Sequence, residues 1–216
     1  MKLLHVDASS KGERSNSRAL GRYFIQQLQG QGVDLEIDYL DLARDTPPHV
    51  SEAFAIATYT HPEARTPQMR QTLAASDALC QRLMDADACL FAMPMYNWSM
   101  PSTFKAFIDS ITRTELTYLN TPDGIVGQLT RQKVLFLTSR GADLRPGNPM
   151  AGMDALTPAL KAAFAFIGVQ QPLFVDAQPL QFANPEAREE ALERARGELD
   201  AVAREWAANA SCAAPL

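Results

Sequence analysis

The chain has 216 residues, 46% of them hydrophobic and 21% charged, enough apolar material for one domain with a substantial core and too much for a disordered chain. Net charge is −5 with pI near 5.2, and no basic stripe is present to neutralise phosphates, so a nucleic-acid surface is excluded. The three cysteines form no CxxC pair and the three histidines lack ligand spacing, which points away from a zinc site or a disulfide framework and toward a reducing, cytoplasmic compartment. The opening MKLLHVDASS has an apolar run too short for a signal-peptide core, and no stretch approaches the roughly 18 apolar residues of a membrane span.

Taken in order, Lys2–Asp7 is a short apolar run of the kind a buried parallel strand uses. Ser17–Gly30 carries Leu20, Phe24 and Leu28 on one helical face and closes on Gly30. Val33–Leu40 alternates apolar and polar residues, as a strand near a sheet edge does. Ala43–Pro67 is irregular and proline-rich, with one turn of helix expected at Ala53–Thr58, and its length suits a functional loop. Gln68–Asp85 reads as a helix, and Ala88–Met93 is the best central strand.

Pro101–Arg113 reads as a helix with proline in its first turn, and Thr117–Gln128 as a hairpin excursion. Lys133–Thr138 is a further buried strand and Leu156–Ile167 a helix. Val169–Val175, interrupted by Pro172, is a last strand, and a long helix starts at Asn184-Pro185. A loose tail is expected at 211–216. This β-α alternation implies a parallel five-stranded sheet of order 2-1-3-4-5, helices on both faces, in a single domain over 1–210.

In such sheets ligands bind beyond the carboxyl ends of the strands. Three loops emerge there. The first runs Ser9-Ser10-Lys11-Gly12-Glu13-Arg14-Ser15-Asn16-Ser17 and lacks both GxGxxG and the P-loop pattern. Hydroxyls and free N–H groups at a helix start can hold a phosphate, and equally can do no more than cap the helix. The second, Met93-Pro94-Met95-Tyr96-Asn97-Trp98, places aromatics and thioethers where they form either a wall for a planar ligand or a satellite of the core. The third, Thr138-Ser139-Arg140-Gly141, puts a glycine where backbone approaches something closely; Arg140 either offers charge to a ligand or pairs with a surface carboxylate.

Together these loops resemble the FMN-dependent NADH azoreductases, also described as NAD(P)H:quinone reductases of the flavodoxin-like superfamily, with support from Phe104-Lys105, Asp109 and Phe164–Gly168. The resemblance runs from Lys2 to about Ala208. It implies that Ser9, Ser15, Asn16 and Ser17 hold the FMN phosphate, that Met95, Tyr96, Asn97 and Trp98 line the isoalloxazine, and that Ser139, Arg140 and Gly141 border its other side. It further implies a homodimer with the flavin near the subunit boundary. NADH or NADPH would deliver hydride to FMN N5, and an azo compound or quinone would then take the electrons in a ping-pong cycle, with no metal and no catalytic side chain. The alternative of another class is a flavodoxin-type electron carrier with no substrate of its own. Five places depart from the family pattern: Arg113–Tyr118, Thr121–Ile125, Ala142 where a second glycine is usual, and the stretches Ala53–Thr66 and Leu144–Pro149.

Overall fold

A computed structural model describes residues 1–212. Five parallel strands form the sheet: β1 (Lys2–Asp7), β2 (Glu36–Asp41), β3 (Ala88–Pro94), β6 (Lys133–Ser139) and β7 (Leu173–Ala177). Their spatial order is β2-β1-β3-β6-β7, so in the order of the chain the sheet reads 2-1-3-4-5, the flavodoxin-like arrangement. An antiparallel hairpin, β4 (Tyr118–Thr121) and β5 (Gly124–Gly127), is the excursion expected over Thr117–Gln128.

The strands are apolar on both sides because both faces are covered. Alternate residues of one strand enter opposite cores. Leu3, Leu90 and Leu135 face α1 (Asn16–Gly30) and α6 (Pro185–Cys212), packing with Phe24, Leu199 and Trp206. Leu4, Phe91 and Phe136 enter the other core with Leu83 of α3 (Pro67–Asp85), Phe104 and Phe107 of α4 (Ser102–Ile111) and Phe164 of α5 (Leu156–Phe166). In that core Phe91 stacks on Phe136 with ring centroids 5.3 Å apart. β3 is buried at every residue, as a central strand should be, whereas β2 is largely exposed at its edge position.

Several boundaries differ from the sequence reading. β2 starts at Glu36, not Val33: Val33 and Leu35 keep their apolar side chains on the α1/α6 core without joining the ladder. β7 starts at Leu173, just past Pro172, which has no N–H to donate. Pro101 precedes α4 as its cap residue instead of occupying its first turn. Within Ala43–Pro67 the helical turn is a two-turn helix, α2 (Glu52–Tyr59), whose start is capped by Ser51 accepting from the Phe54 N–H at 3.1 Å. Asn184 caps α6 as expected, accepting from Ala187 N–H at 2.8 Å. That helix continues to Cys212, and 213–216 of the expected tail lies outside the described residues. Among the described residues no helix is long and apolar enough to cross a membrane.

Candidate functional site

The carboxyl ends of β1, β3, β6 and β7 open onto one crevice. Its inner part, about 300 Å³, is lined by Lys11, Arg14 and Asn16 from the first loop, Pro94–Tyr96, Ser139–Gly141, Leu180, Gln181 and Arg188. Its outer part, about 390 Å³, continues along Met95–Trp98, Gly141, Ala142, Gln181 and Phe182. Met95, Tyr96, Gly141 and Gln181 line both, so the two parts form one elongated slot. The three loops singled out in the sequence therefore converge.

At the inner end, Ser15 caps α1 by accepting from Arg18 N–H at 3.3 Å, with its hydroxyl 3.1 Å from that of Ser17. Ser9, Ser15 and Ser17 are buried within the loop; of the four expected phosphate residues, Asn16 alone lines the slot. Capping explains Ser15, yet it leaves the first-turn N–H groups of Asn16 and Ser17 without an acceptor among the described residues. Such groups at a helix start suit an anion.

The loop is held from behind by Arg18. Its guanidinium donates twice to the Ser9 carbonyl (2.8 and 3.2 Å), grips both carboxylate oxygens of Asp41 (2.6 and 2.9 Å), and reaches Asp7 and the Tyr39 hydroxyl. Burial would raise the Asp41 pKa, but the hydrogen bonds from Arg18 and from Ala43 N–H hold it below the ordinary carboxylate range. Ser9 is thus placed by a network that joins the ends of β1 and β2.

At the outer end, Tyr96 and Ser99 exchange both backbone hydrogen bonds at 3.0 Å around Asn97 and Trp98. Both central residues have positive φ, 47° and 70°, as the mirror-image turns of tight hairpins require. For tryptophan this conformation is strained, and strain of this kind collects at functional sites. Tyr96 and Trp98 are half-buried, not core residues, whereas the neighbouring Met95 and Met100 pack onto the core. The Asn97 and Trp98 N–H groups have no acceptor among the described residues. An aromatic wall with free N–H donors beside it fits a planar heterocycle.

Met95 N–H donates to the Ser139 carbonyl at 2.9 Å, fastening the second loop to the third. Gly141 lies under the segment that follows β7: a Cβ there would come within 3.2 Å of Gln181 Cβ and 3.3 Å of the Phe182 ring. Arg140 follows neither of its two expectations fully. It is 2% exposed, and its guanidinium turns toward the start of α5, bonding Asp154 (2.7 Å), Asp176 (3.0 Å), Thr157 (2.8 Å) and Thr138 (2.9 Å). Two of the four partners are carboxylates, but the site is interior, and the Arg140 guanidinium is held away from free contact with a ligand.

Sequence reasoning passed over Lys11 and Arg14 in the first loop, and Leu180, Gln181, Phe182 and Arg188 beyond β7. The last strand's carboxyl end marks the same edge of the sheet as the others, and that rule alone would have added 178–183. Nothing local marks Arg188. Among the described residues that line the slot there is no carboxylate, imidazole or thiol.

Comparison with known proteins agrees with this fold. The Flavodoxin_2 family, described as a flavodoxin-like fold, matches residues 1–203. Over 206 residues the chain is 37% identical to an FMN-dependent NADH:quinone oxidoreductase of Trichormus variabilis, covering 95% of this chain and 97% of that protein. It is 36% identical over 203 residues to one from Bordetella petrii, covering 94% of this chain and 95% of that one. An azoreductase structure from Bacillus anthracis superposes with a TM-score of 0.86 at 23% identity, covering 95% of this chain and 99% of the other, a likeness of fold. The match spans nearly the whole chain, and the chain belongs to the flavodoxin-like family of the FMN-dependent NADH:quinone oxidoreductases.

Proposed function

We propose that the protein is an FMN-dependent oxidoreductase that uses NADH or NADPH to reduce quinones, azo compounds or both. The observation that carries this reading is the single slot with unsatisfied helix-start N–H groups at one end and the strained Tyr96–Ser99 turn at the other. Asn16 and the N–H groups of Asn16 and Ser17 would receive the phosphate, with Ser9, Ser15 and Ser17 shaping the loop behind them. Met95, Tyr96, Asn97 and Trp98 would line one side of the ring and Ser139, Arg140 and Gly141 the other, Arg140 through its backbone. When bound, FMN supplies hydride chemistry, accepting two electrons from the nicotinamide and yielding them to the acceptor.

What the chain contributes is placement. The turn's two free N–H groups are fixed donors for ring heteroatoms, and their orientation is set before any ligand arrives. Tyr96 and Trp98 shield one side of the slot from water, and the exposed Phe182 stands at its mouth. Among the described residues the slot lining carries no carboxylate, imidazole or thiol to pair with a nucleophile, which favours redox chemistry there over hydrolysis.

The same proposal includes a homodimer. Its support is the set of exposed apolar side chains on and beside α2, namely Val50, Ile56 and Tyr59 (85% exposed), and on the hairpin, Ile125 and Val126. A cytoplasmic location is supported by the free buried thiols of Cys80 and Cys89.

The test is to reconstitute the purified protein with FMN and follow NADH and NADPH oxidation against a panel of quinones and azo dyes. Acceptor-dependent oxidation is expected. A protein that takes up no FMN refutes the reading. A flavin that NADH and NADPH leave oxidised and only dithionite reduces points instead to an electron carrier.

A further inference from the structure

Within the proposed FMN site, we infer that Arg188 on α6 is the charged anchor of the flavin phosphate, set beside the neutral Asn16 amide and the helix-start N–H groups, with Lys11 and Arg14 further out. The inference rests on the flavin reading and adds a residue from the opposite end of the chain. Arg188 lies in the first turn of α6, three residues past the start at Pro185. A cation in a helix's first turn faces the positive end of the helix dipole, an unfavourable place for it. From there it reaches across to the start of α1, a second positive pole, and donates to Asn16 Oδ1 at 3.0 Å. Among the described residues it forms no ion pair with a carboxylate, and neither do Lys11 and Arg14; Arg140, the remaining cation on the inner slot, is paired with Asp154 and Asp176.

Elsewhere in this acidic chain, buried arginines are matched by carboxylates: Arg18 by Asp7 and Asp41, Arg113 by Asp77, Arg140 by Asp154 and Asp176. Arg188 is half-buried, lines the slot and is held between two helix starts with no negative partner. An anion in the slot supplies that partner. The contact with Asn16 has a second effect. Since Asn16 Oδ1 accepts from Arg188, its amide NH₂ is the end left to face the slot, a donor for a phosphate oxygen. Arg188 therefore acts directly through its charge and indirectly by fixing which end of Asn16 the phosphate meets. A guanidinium is suited to this because its fork can serve the amide oxygen and a phosphate together. Lys11 and Arg14 are exposed and flank the same end as outer charges.

The experiment compares FMN with riboflavin, which carries the same ring and no phosphate. Dissociation constants for both are measured on apoprotein by flavin fluorescence, for the wild type, Arg188→Gln and Arg188→Lys, at low and high salt. Arg188→Gln is expected to weaken FMN by about 10- to 100-fold, the range for losing a hydrogen bond to a charged group. Riboflavin affinity should change less than about twofold, and the salt dependence of FMN binding should flatten. Arg188→Lys, which keeps charge without the fork, should fall between. Equal FMN affinity in wild type and Arg188→Gln, or equal losses for FMN and riboflavin, overturns the inference. Wild-type protein that binds neither flavin overturns the site reading itself, a separate outcome. Unchanged thermal melting of the apoprotein variants excludes misfolding as the cause, since Arg188 is only half-buried and enters neither core.

Discussion

Replacing Arg140 by leucine should destabilise the apoprotein through the carboxylates it leaves behind, independently of any ligand. The guanidinium is 2% exposed and bonds Asp154 at 2.7 Å and Asp176 at 3.0 Å, carboxylates with side chains 20% and 25% exposed. Removing one partner of a buried pair costs about 3–5 kcal/mol because the remaining charge is uncompensated. Partial solvent access of both aspartates places the expected loss at the lower end, about 3 kcal/mol, or roughly 6–12 °C in Tm for a chain of this size. The effect has a sign in pH. Burial pushes the Asp154 pKa up, but bonds from Thr157 N–H, the Thr157 hydroxyl and Arg140 outweigh it and hold the group below its ordinary value. A lowered carboxylate pKa contributes stability above the unfolded value and loses it as pH falls through the folded one. Without Arg140 the Asp154 carboxyl should protonate earlier, so the deficit should shrink from roughly pH 6 to pH 4. Urea unfolding of wild type, Arg140→Leu and Arg140→Leu/Asp154→Asn at pH 7 and pH 4.5 measures this, the double variant recovering part of the loss. A deficit under about 1 kcal/mol at pH 7, or one that does not change with pH, refutes the reasoning.

Gly127→Ala should be severe, because its Cβ would sit 2.1 Å from Gly168 N, backbone against backbone; a loss of about 3 kcal/mol is expected by urea unfolding, the upper end of overpacking costs, and wild-type stability would disprove the close approach. Trp98→Gly should weaken FMN binding while changing apoprotein stability by no more than about 1 kcal/mol, since relief of the left-handed strain offsets the lost indole contacts; a large drop in melting temperature would show that Trp98 is a core residue after all. Burial pushes both the Cys80 and Cys89 thiols up to about 12, so neither should be labelled by a thiol reagent at pH 8 in native protein, with peptide mass spectrometry as the readout. For both thiols the raised folded value keeps the proton on, so their contribution to stability should decline once pH exceeds the ordinary thiol value near 9, visible as a falling urea midpoint.

What was legible in the sequence follows from where the information is local. β1, β3 and β6 are continuous apolar runs because each is covered on both faces, and their ends carry the three loops, so strand order and crevice could be read together. The β2 boundary was not readable: the apolar residues Val33 and Leu35 look like strand residues and do pack on the core, but whether backbone joins a ladder depends on the partner, β1, and not on the side chains. Arg140 does pair with carboxylates, but Asp154 and Asp176 lie 14 and 36 residues away, and a lone arginine shows neither which partners it finds nor that it is buried. Gln181, Phe182 and Arg188 carry no motif; they reach the slot because β7 ends on the same sheet edge as β6 and the chain turns back over Gly141.

The Tyr96–Ser99 turn owes its fixed shape to something other than its flanking prolines. The prolines at 94 and 101 suggest a loop stiffened by fixed φ angles. Pro94 instead belongs to β3, opposite Ser139, and Pro101 precedes α4, so both bracket the loop without restraining its tip. What holds the tip is hydrogen bonding: the reciprocal Tyr96–Ser99 pair, Met95 N–H to Ser139, and Trp98 carbonyl accepting from Ala155 N–H at 3.1 Å. These bonds tie the aromatic wall to β6 and to the segment before α5, whose far side is fixed by Arg140 and Asp154. Arg140 thus bears on the ligand-facing turn through the frame that carries it. Loosening that frame should blur the placement of the Asn97 and Trp98 N–H groups even though every side chain that faces the slot is unchanged.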